Sequence, residues 1–262
     1  MTTILITAAG APGAAALIRG LRENGERDVR LVGVDMSERS IGKHLCDAFH
    51  LVPAGSDPGY ADAVLDLVER EGVDVVLPQS SFDLPGLAAA RERFPVPVLV
   101  SAPETVRRSN DKAETYSLLQ RIGVPTIEFR RVAGALEVEA AAHELGYPDR
   151  PVCFKPVFSS GSRGFRILDP TVDRAHQLLH ERPGSVSMRL DEAVELLEGD
   201  DTELLVMELA TGGERTIDGI ADGERIVLGH PKTREAMRAG LAMYFVTLAD
   251  DGLMEIADRI VR

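Results

Sequence analysis

The residues best placed by type and spacing to do chemistry lie between Cys153 and Phe165. An apolar run delivers one lysine, Lys155. Ser159, Ser160, Gly161, Ser162, Arg163 and Gly164 then turn the chain back into a second apolar run at 165–168. Serine and glycine let a backbone bend sharply and present consecutive N–H groups, which together with a lysine form a concave grip for phosphate. An ordinary hairpin with a charge at its strand end has the same composition. Of 29 basic residues only four are lysines, and three of these, Lys112, Lys155 and Lys232, fall in the segments singled out below. Lysine is a compact point charge suited to phosphate oxygens, whereas arginine is a planar fork.

Other groups carry less. His176 and His180 stand four apart on an expected helix, a spacing able to bind a metal. No glutamate follows His176 directly and no third ligand is near, so a solvated helix face is expected. The turn Gly10-Ala11-Pro12-Gly13, with Asp35 ending the second strand, has part of the dinucleotide-binding pattern. It lacks the third glycine, and Pro12 removes a donor N–H. A glycine-rich turn also occurs wherever a parallel strand meets its helix closely. Walker A, serine-hydrolase and Cys/His zinc spacings are absent from the sequence.

The elements that position these residues follow from hydrophobic period. In the first hundred residues, strands at 3–7, 30–34, 73–77 and 96–100 alternate with helices at 14–24, 60–71 and 84–93. Short apolar strands between amphipathic helices predict an α/β, Rossmann-like parallel sheet covered on both faces. From residue 110 the pattern changes. Asn110-Asp111 is expected to cap a helix over 112–122, closed by Gly123-Val124-Pro125. A strand at 126–131 and a helix at 136–145 precede the Lys155 segment. Helices at 171–181 and 191–197 follow, with a polar connector around 182–187 between them. Strands are expected at 203–208, 215–221, 225–229 and 241–248, and a last helix at 251–262.

Length and composition bound the rest. The 262 residues suffice for one large or two small domains. A net charge of −13 speaks against nucleic acid or an anionic membrane as partner, though a locally basic cleft can still take ATP. Cys46 and Cys153 are too few for a disulfide framework and are expected as buried thiols of a reducing compartment. No apolar run approaches the span of a bilayer, and a cytoplasmic location is expected.

Four motifs then stand in order. Asn110-Asp111-Lys112 opens a helix that closes in Ile122-Gly123-Val124-Pro125, and Cys153-Phe154-Lys155-Pro156 precedes the serine–glycine loop. Met207-Glu208-Leu209-Ala210-Thr211-Gly212-Gly213-Glu214-Arg215-Thr216-Ile217-Asp218-Gly219 and Pro231-Lys232-Thr233-Arg234 follow. By these motifs the whole chain resembles ATP-grasp proteins, of the branch that includes the large subunit of carbamoyl phosphate synthase. The resemblance implies a Rossmann-like pre-ATP-grasp domain over 1–108 and α+β ATP-grasp lobes over 109–262. The small lobe would cover about 125–208, and 209–262 would begin an incomplete large lobe.

It further implies ATP held between those lobes, with Lys112 and Lys155 on its phosphates and the loop from Ser159 to Gly164 closing over them. Arg163 would stiffen that loop. Backbone groups of Glu208, Leu209 and Ala210 would read the adenine edge, and Glu214 would accept from the ribose hydroxyls. Asp218 follows Glu214 at even spacing and shares its face. Lys232 and Arg234 would act as the catalytic basic pair on the transferred phosphoryl group or a substrate carboxylate, although a solvated loop explains them equally well. The implied activity is ATP-dependent ligation of a small-molecule carboxylate to an amine through an acyl phosphate, with a homodimer admitted. Part of the substrate pocket is expected in the first domain near Gly10–Gly13 and Pro78–Ser81, with Ser80 and Asp83 as test residues.

The family's Mg²⁺ carboxylates are expected beyond residue 262, because Asp250, Asp251, Glu255 and Asp258 belong to a cap and a helix. Two other readings stay open: a catalytically incomplete nucleotide-binding or sensing module, and an NAD-dependent oxidoreductase using the Gly10 turn.

Overall fold

The computed structural model describes the chain except residues 182–183 and 239–240. Part of the connector expected around 182–187 therefore lies outside the described residues. The chain divides into two compact units, Met1–Asn110 and Asp111–Arg262.

The first unit runs Thr2–Ile6 (β1), Ala14–Arg22 (α1), Val29–Asp35 (β2), Gly42–Leu45 (α2), Ala48–Leu51 (β3), Tyr60–Glu71 (α3), Val75–Leu77 (β4), Leu84–Ala90 (α4) and Pro103–Asn110 (α5). Its four strands are all parallel in the order β3-β2-β1-β4. Successive residues of β1 point to opposite faces, as strand geometry requires. Leu5 joins Val34 and Val76 beneath Tyr60, Val64 and Leu67 of α3. Ile4 and Ile6 join Leu31 beneath Ile18 of α1. Apolar cover on both faces is what a parallel sheet needs, and the expected Rossmann-like α/β arrangement is present.

Two details differ from expectation. The strand expected at 96–100 is reduced to a single parallel bridge between Val76 and Val98. The fourth strand is instead β3, whose Phe49-His50-Leu51 shows no helical or alternating period but finds a full register with β2. Asn110, expected to cap a helix together with Asp111, closes α5, a helix the sequence reading did not anticipate.

The second unit comprises Lys112–Arg121 (α6), Phe129–Ala133 (β5), Ala135–Glu144 (α7), Val152–Pro156 (β6), Arg166–Leu168 (β7), Arg174–His180 (α8), Ser187–Met188 (β8), Leu190–Leu196 (α9), Glu203–Glu208 (β9), Arg215–Ala221 (β10), Ile226–Thr233 (β11), Ala236–Arg238 (β12), Leu241–Tyr244 (β13) and Asp251–Val261 (α10). Five strands form one sheet in the order β5-β9-β6-β7-β8, with β9 central and antiparallel to both neighbours. The strand expected at 126–131 lies a few residues later, because the Val132–Leu204 and Phe129–Met207 pairings set its register.

Alternation divides this sheet into two faces. Val152, Phe154, Leu204 and Val206 pack beneath α7 and α9, around Val138, Ala142 and Leu190. Cys153, Leu205 and Met207 face the other way, against Ala113 and Tyr116 of α6. Each fully buried aliphatic side chain in these layers stabilises the fold by about 1.5–3 kcal/mol. β10 and β11 form a separate antiparallel hairpin, and the Met254 methyl of α10 packs against Gly229 on β11. Among the described residues no helix is long and apolar enough to cross a membrane.

Candidate functional site

The site begins with the cap of α6. Asp111 is extended (φ −89°, ψ 108°), and its Oδ1 accepts from the Glu114 N–H at 2.9 Å, so the helix starts at Lys112. Its Oδ2 pairs with Arg131 at 3.1 Å, and Arg131 also holds Glu203 at 2.6 Å. This chain of ion pairs engages the Asp111 carboxylate and leaves Lys112 to find other partners.

Lys112 reaches across to the segment after β6. Its Nζ donates to the carbonyls of Val157 (3.2 Å) and Ser159 (2.7 Å) and to Ser159 Oγ (3.3 Å). One ammonium thus anchors the root of the serine–glycine loop. Within the loop, Gly161, Ser162 and Gly164 all have positive φ, at 63°, 58° and 73°. Gly164 is constrained twice over, because a Cβ there would lie 2.6 Å from Pro156 Cγ. Arg163 Nη2 donates to Ser160 Oγ at 2.5 Å and ties the loop across its tip.

Lys155 follows Cys153 by two residues on β6, so both project from the face that carries α6. Its ammonium sits 5.4 Å from the centre of the Tyr116 ring. Tyr116 is one helical turn after Lys112, which brings both residues to the sheet. Burial lowers the Lys155 pKa, and the sole opposing influence comes from Cys153 rather than a carboxylate. Burial, and then repulsion from Lys155, lower that of Lys112. Two desolvated cations therefore stand close together beside a loop, and among the described residues no acid neutralises Lys155. Cys153 itself is inert at neutral pH, since burial pushes its thiol up to about 11.

Leu209 packs on the same face as Tyr116, Ile127, Phe129 and Ile167. Glu208, Leu209 and Ala210 border a pocket of about 550 Å³ together with Ile127 and Arg150. The Glu208 carboxylate accepts from the Glu128 N–H at 3.2 Å and pairs with Arg150 at 3.4 Å. The side chain thus braces the strand end.

The remaining predicted residues meet on the β10–β11 hairpin. Thr216 pairs with Lys232 in register, so residues 214, 216, 218, 232 and 234 share one face. Lys232 makes a short ion pair with Asp218, and Arg234 Nε lies 3.3 Å from Glu214. The solvated loop entertained for this basic pair is replaced by strand β11 and its immediate continuation. The Lys232 ammonium also lies 4.7 Å from the centre of the Phe245 ring. The contacts thus gather the predicted residues into two sets: Lys112, Lys155, the loop and 208–210, and then Glu214, Asp218, Lys232 and Arg234.

Tyr116 and the Asp111–Arg131–Glu203 chain were missed. Spacing of four from Lys112 would have flagged Tyr116, but nothing local flags Arg131.

Other candidates resolve. Both oxygens of Asp35 are engaged, by the N–H groups of Gly10 (2.7 Å) and Ser37 (2.9 Å), so this acid braces the turn that carries part of the dinucleotide-binding pattern. His176 and His180 stack at 5.1 Å on α8. Among the described residues no cluster of three or more His, Cys, Asp or Glu could hold a metal ion, so the residues present do not fit a protein-built Mg²⁺ site.

Comparison with known proteins adds four findings. Residues 4–99 match the family model described as PylC-like, N-terminal domain. Over 135 residues the chain is 32% identical to the carbamoyl phosphate synthase large chain of Corynebacterium glutamicum, covering 47% of this chain and 12% of that protein. An L-amino acid ligase from Bacillus licheniformis superposes with a TM-score of 0.68 at 16% identity, over 100% of this chain and 61% of that one. The N5-carboxyaminoimidazole synthetase from Staphylococcus aureus, complexed with ADP, superposes with a TM-score of 0.66 at 14% identity, over 99% and 61%. The chain therefore spans about one-eighth of that curated relative's length and about three-fifths of these two solved ones. At these identities the structural matches establish a shared fold.

Proposed function

Taking as premise that this chain is a protein of the ATP-grasp fold, we propose that its second unit binds ATP on the Lys155 face of the five-stranded sheet. On this reading the chain serves an ATP-dependent carboxylate–amine ligase. The observation that carries the proposal is the pair of desolvated ammonium groups, Lys112 and Lys155, beside a loop with three positive φ angles. Burying the Lys155 ammonium with no carboxylate beside it among the described residues is unfavourable in the free protein, and Lys112 is met by neutral acceptors of the loop root. A polyphosphate supplies the missing charge, and loop N–H groups add donors to it. The half-buried apolar surface of Ile127, Phe129, Ile167 and Leu209 offers a base a place to stack.

In the proposed reaction a substrate carboxylate oxygen attacks the γ-phosphorus, the bond to the β–γ bridging oxygen breaks, and ADP leaves with that electron pair. The resulting acyl phosphate is attacked at carbon by an amine. Phosphate departs, and the amine proton passes to solvent or base. Positioning and charge neutralisation carry such a transfer. Lys112 and Lys155 would orient the phosphates, Glu214 the ribose, and Lys232 with Arg234 the moving phosphoryl group. ATP would arrive as its magnesium complex, and the described residues offer phosphate contacts only.

Calorimetry with MgATP, followed by a hydroxylamine trap across a carboxylate panel, tests both halves. Saturable heat and a hydroxamate product are expected. Absence of heat overturns nucleotide binding. Heat without hydroxamate from any carboxylate supports the second reading, a nucleotide-sensing module.

A further inference from the structure

A second cavity, of about 440 Å³, opens at the carboxyl ends of the parallel strands in the first unit. Asp83 and Tyr60 form its floor, 5% and 2% exposed. Thr7 Oγ1 donates to Asp83 Oδ2 at 2.6 Å and accepts from the Gln79 N–H at 3.2 Å, so its single proton is already committed to Asp83. The Tyr60 hydroxyl is buried and has no hydrogen-bond partner. Thr7 and Asp83 stand near enough to act on its pKa as hydrogen-bonding groups, yet neither completes a hydrogen bond of normal length and angle with it. A buried polar group left unpaired costs about 1–3 kcal/mol, and such a group on a cavity floor is explained by a ligand that completes it.

The chemistry of the walls selects that ligand. Asp35 adds a second carboxylate, and among the described residues no lysine, arginine or histidine lines the cavity. With no cation facing it, burial pushes the Asp83 pKa up, and the Asp35 charge adds to the effect. Gly55 passes so near that a Cβ there would collide with Asp83 Oδ1. At the mouth stand two apolar side chains, Met36 (70% exposed) and Phe82 (42%).

We propose that this cavity binds a primary amine that carries an apolar arm and no carboxylate beside the nitrogen. The ammonium supplies three donors, for the Asp83 carboxylate and the Tyr60 oxygen, and the arm lies along Met36 and Phe82. A ligand carboxylate would be desolvated beside Asp35 and Asp83 with no cation to meet it. Naming this amine as the acceptor of the ligase rests on the function proposed above; its binding does not.

The test is saturation-transfer NMR on the full chain with n-hexylamine, 1-hexanol and hexanoate, with MgATP titrated in parallel on the same protein. Hexylamine is expected to bind saturably, at least about tenfold more tightly than hexanol or hexanoate, as a close charge pair in a shielded site requires. Asp83→Asn and Tyr60→Phe should each weaken hexylamine. Met36→Lys places a cation at an exposed position where folding is not at stake, and should weaken it about tenfold while improving hexanoate. Equal binding of the amine and the alcohol, or indifference of hexylamine to Met36→Lys, overturns the proposal. Loss of MgATP binding with hexylamine retained refutes the nucleotide reading alone, and the converse refutes this one alone.

Discussion

Replacing Lys155 with methionine should move stability and nucleotide affinity in opposite directions. In the free protein the ammonium is desolvated, its pKa is lowered by burial, and only Cys153 opposes that shift. A lysine with a depressed folded pKa destabilises the fold at every pH below that value. Stability is regained as pH rises through the window between the folded and unfolded pKa values, where the unfolded chain binds more protons. While the ammonium remains charged in the folded chain the penalty is present, so Lys155→Met should raise the melting temperature of the ligand-free chain.

The cation–π contact with Tyr116, 5.4 Å from the ring centre, is lost as well. At about 0.5–1 kcal/mol for a partly exposed pair, it reduces the gain without reversing it. With nucleotide the sign inverts. An ammonium about 4 Å from a phosphate charge is worth about 4 kcal/mol at an effective dielectric of about 20. Screening on the open side of the site brings this to about 2–4 kcal/mol, or about 30- to 1000-fold in affinity. Calorimetry gives the affinity and differential scanning calorimetry the stability, on the same preparations at pH 7. A variant that binds MgATP within threefold of wild type, or one less stable than wild type without ligand, refutes the reasoning.

Three further outcomes are expected. Lys112→Met removes the donor to the Val157 and Ser159 carbonyls; amide exchange at 158–164 should accelerate, and MgATP affinity should fall about tenfold for the lost charge and loop order. Gly164→Ala forces an alanine to φ 73° against Pro156, which should cost about 1–3 kcal/mol in urea unfolding, and an unchanged midpoint would show that the loop relaxes freely. Asp83 has a folded pKa raised by burial, so its contribution is fully present below the unfolded pKa near 3.9 and is lost as pH rises through the folded value. Asp83→Asn should therefore stabilise the chain more at pH 7 than at pH 4, and equal urea midpoint shifts at the two pH values would contradict this.

Much of the first unit was legible without coordinates because its signals are local. The Leu5/Ile6 run, the Val64/Val68 stripe of α3 and the matching bounds of that helix follow from period alone. The 203–208 and 215–221 strands were equally plain, as were the Asp111-to-Pro125 helix and the lysine–loop–strand segment. Each depends on residues within one turn or one strand of each other.

Residue types and their order along the chain supply an inventory: an α/β alternation, one lysine delivered to a glycine–serine turn, and a later hairpin carrying acids and bases at even spacing. Tertiary structure decided the partnerships. Pairing with β2 makes a strand of 48–51, while 96–100 makes a single bridge, because sheet membership depends on which edge is free rather than on propensity. Asp111 is drawn to Arg131, 20 residues away, and Lys112 to Ser159, 47 residues away. Asp218 and Glu214 neutralise Lys232 and Arg234, whereas among the described residues no acid reaches Lys155. Local composition names which charges exist. Only the packing of distant segments settles which are left without a counter-charge, since Coulombic attraction acts through space and takes no account of separation along the chain.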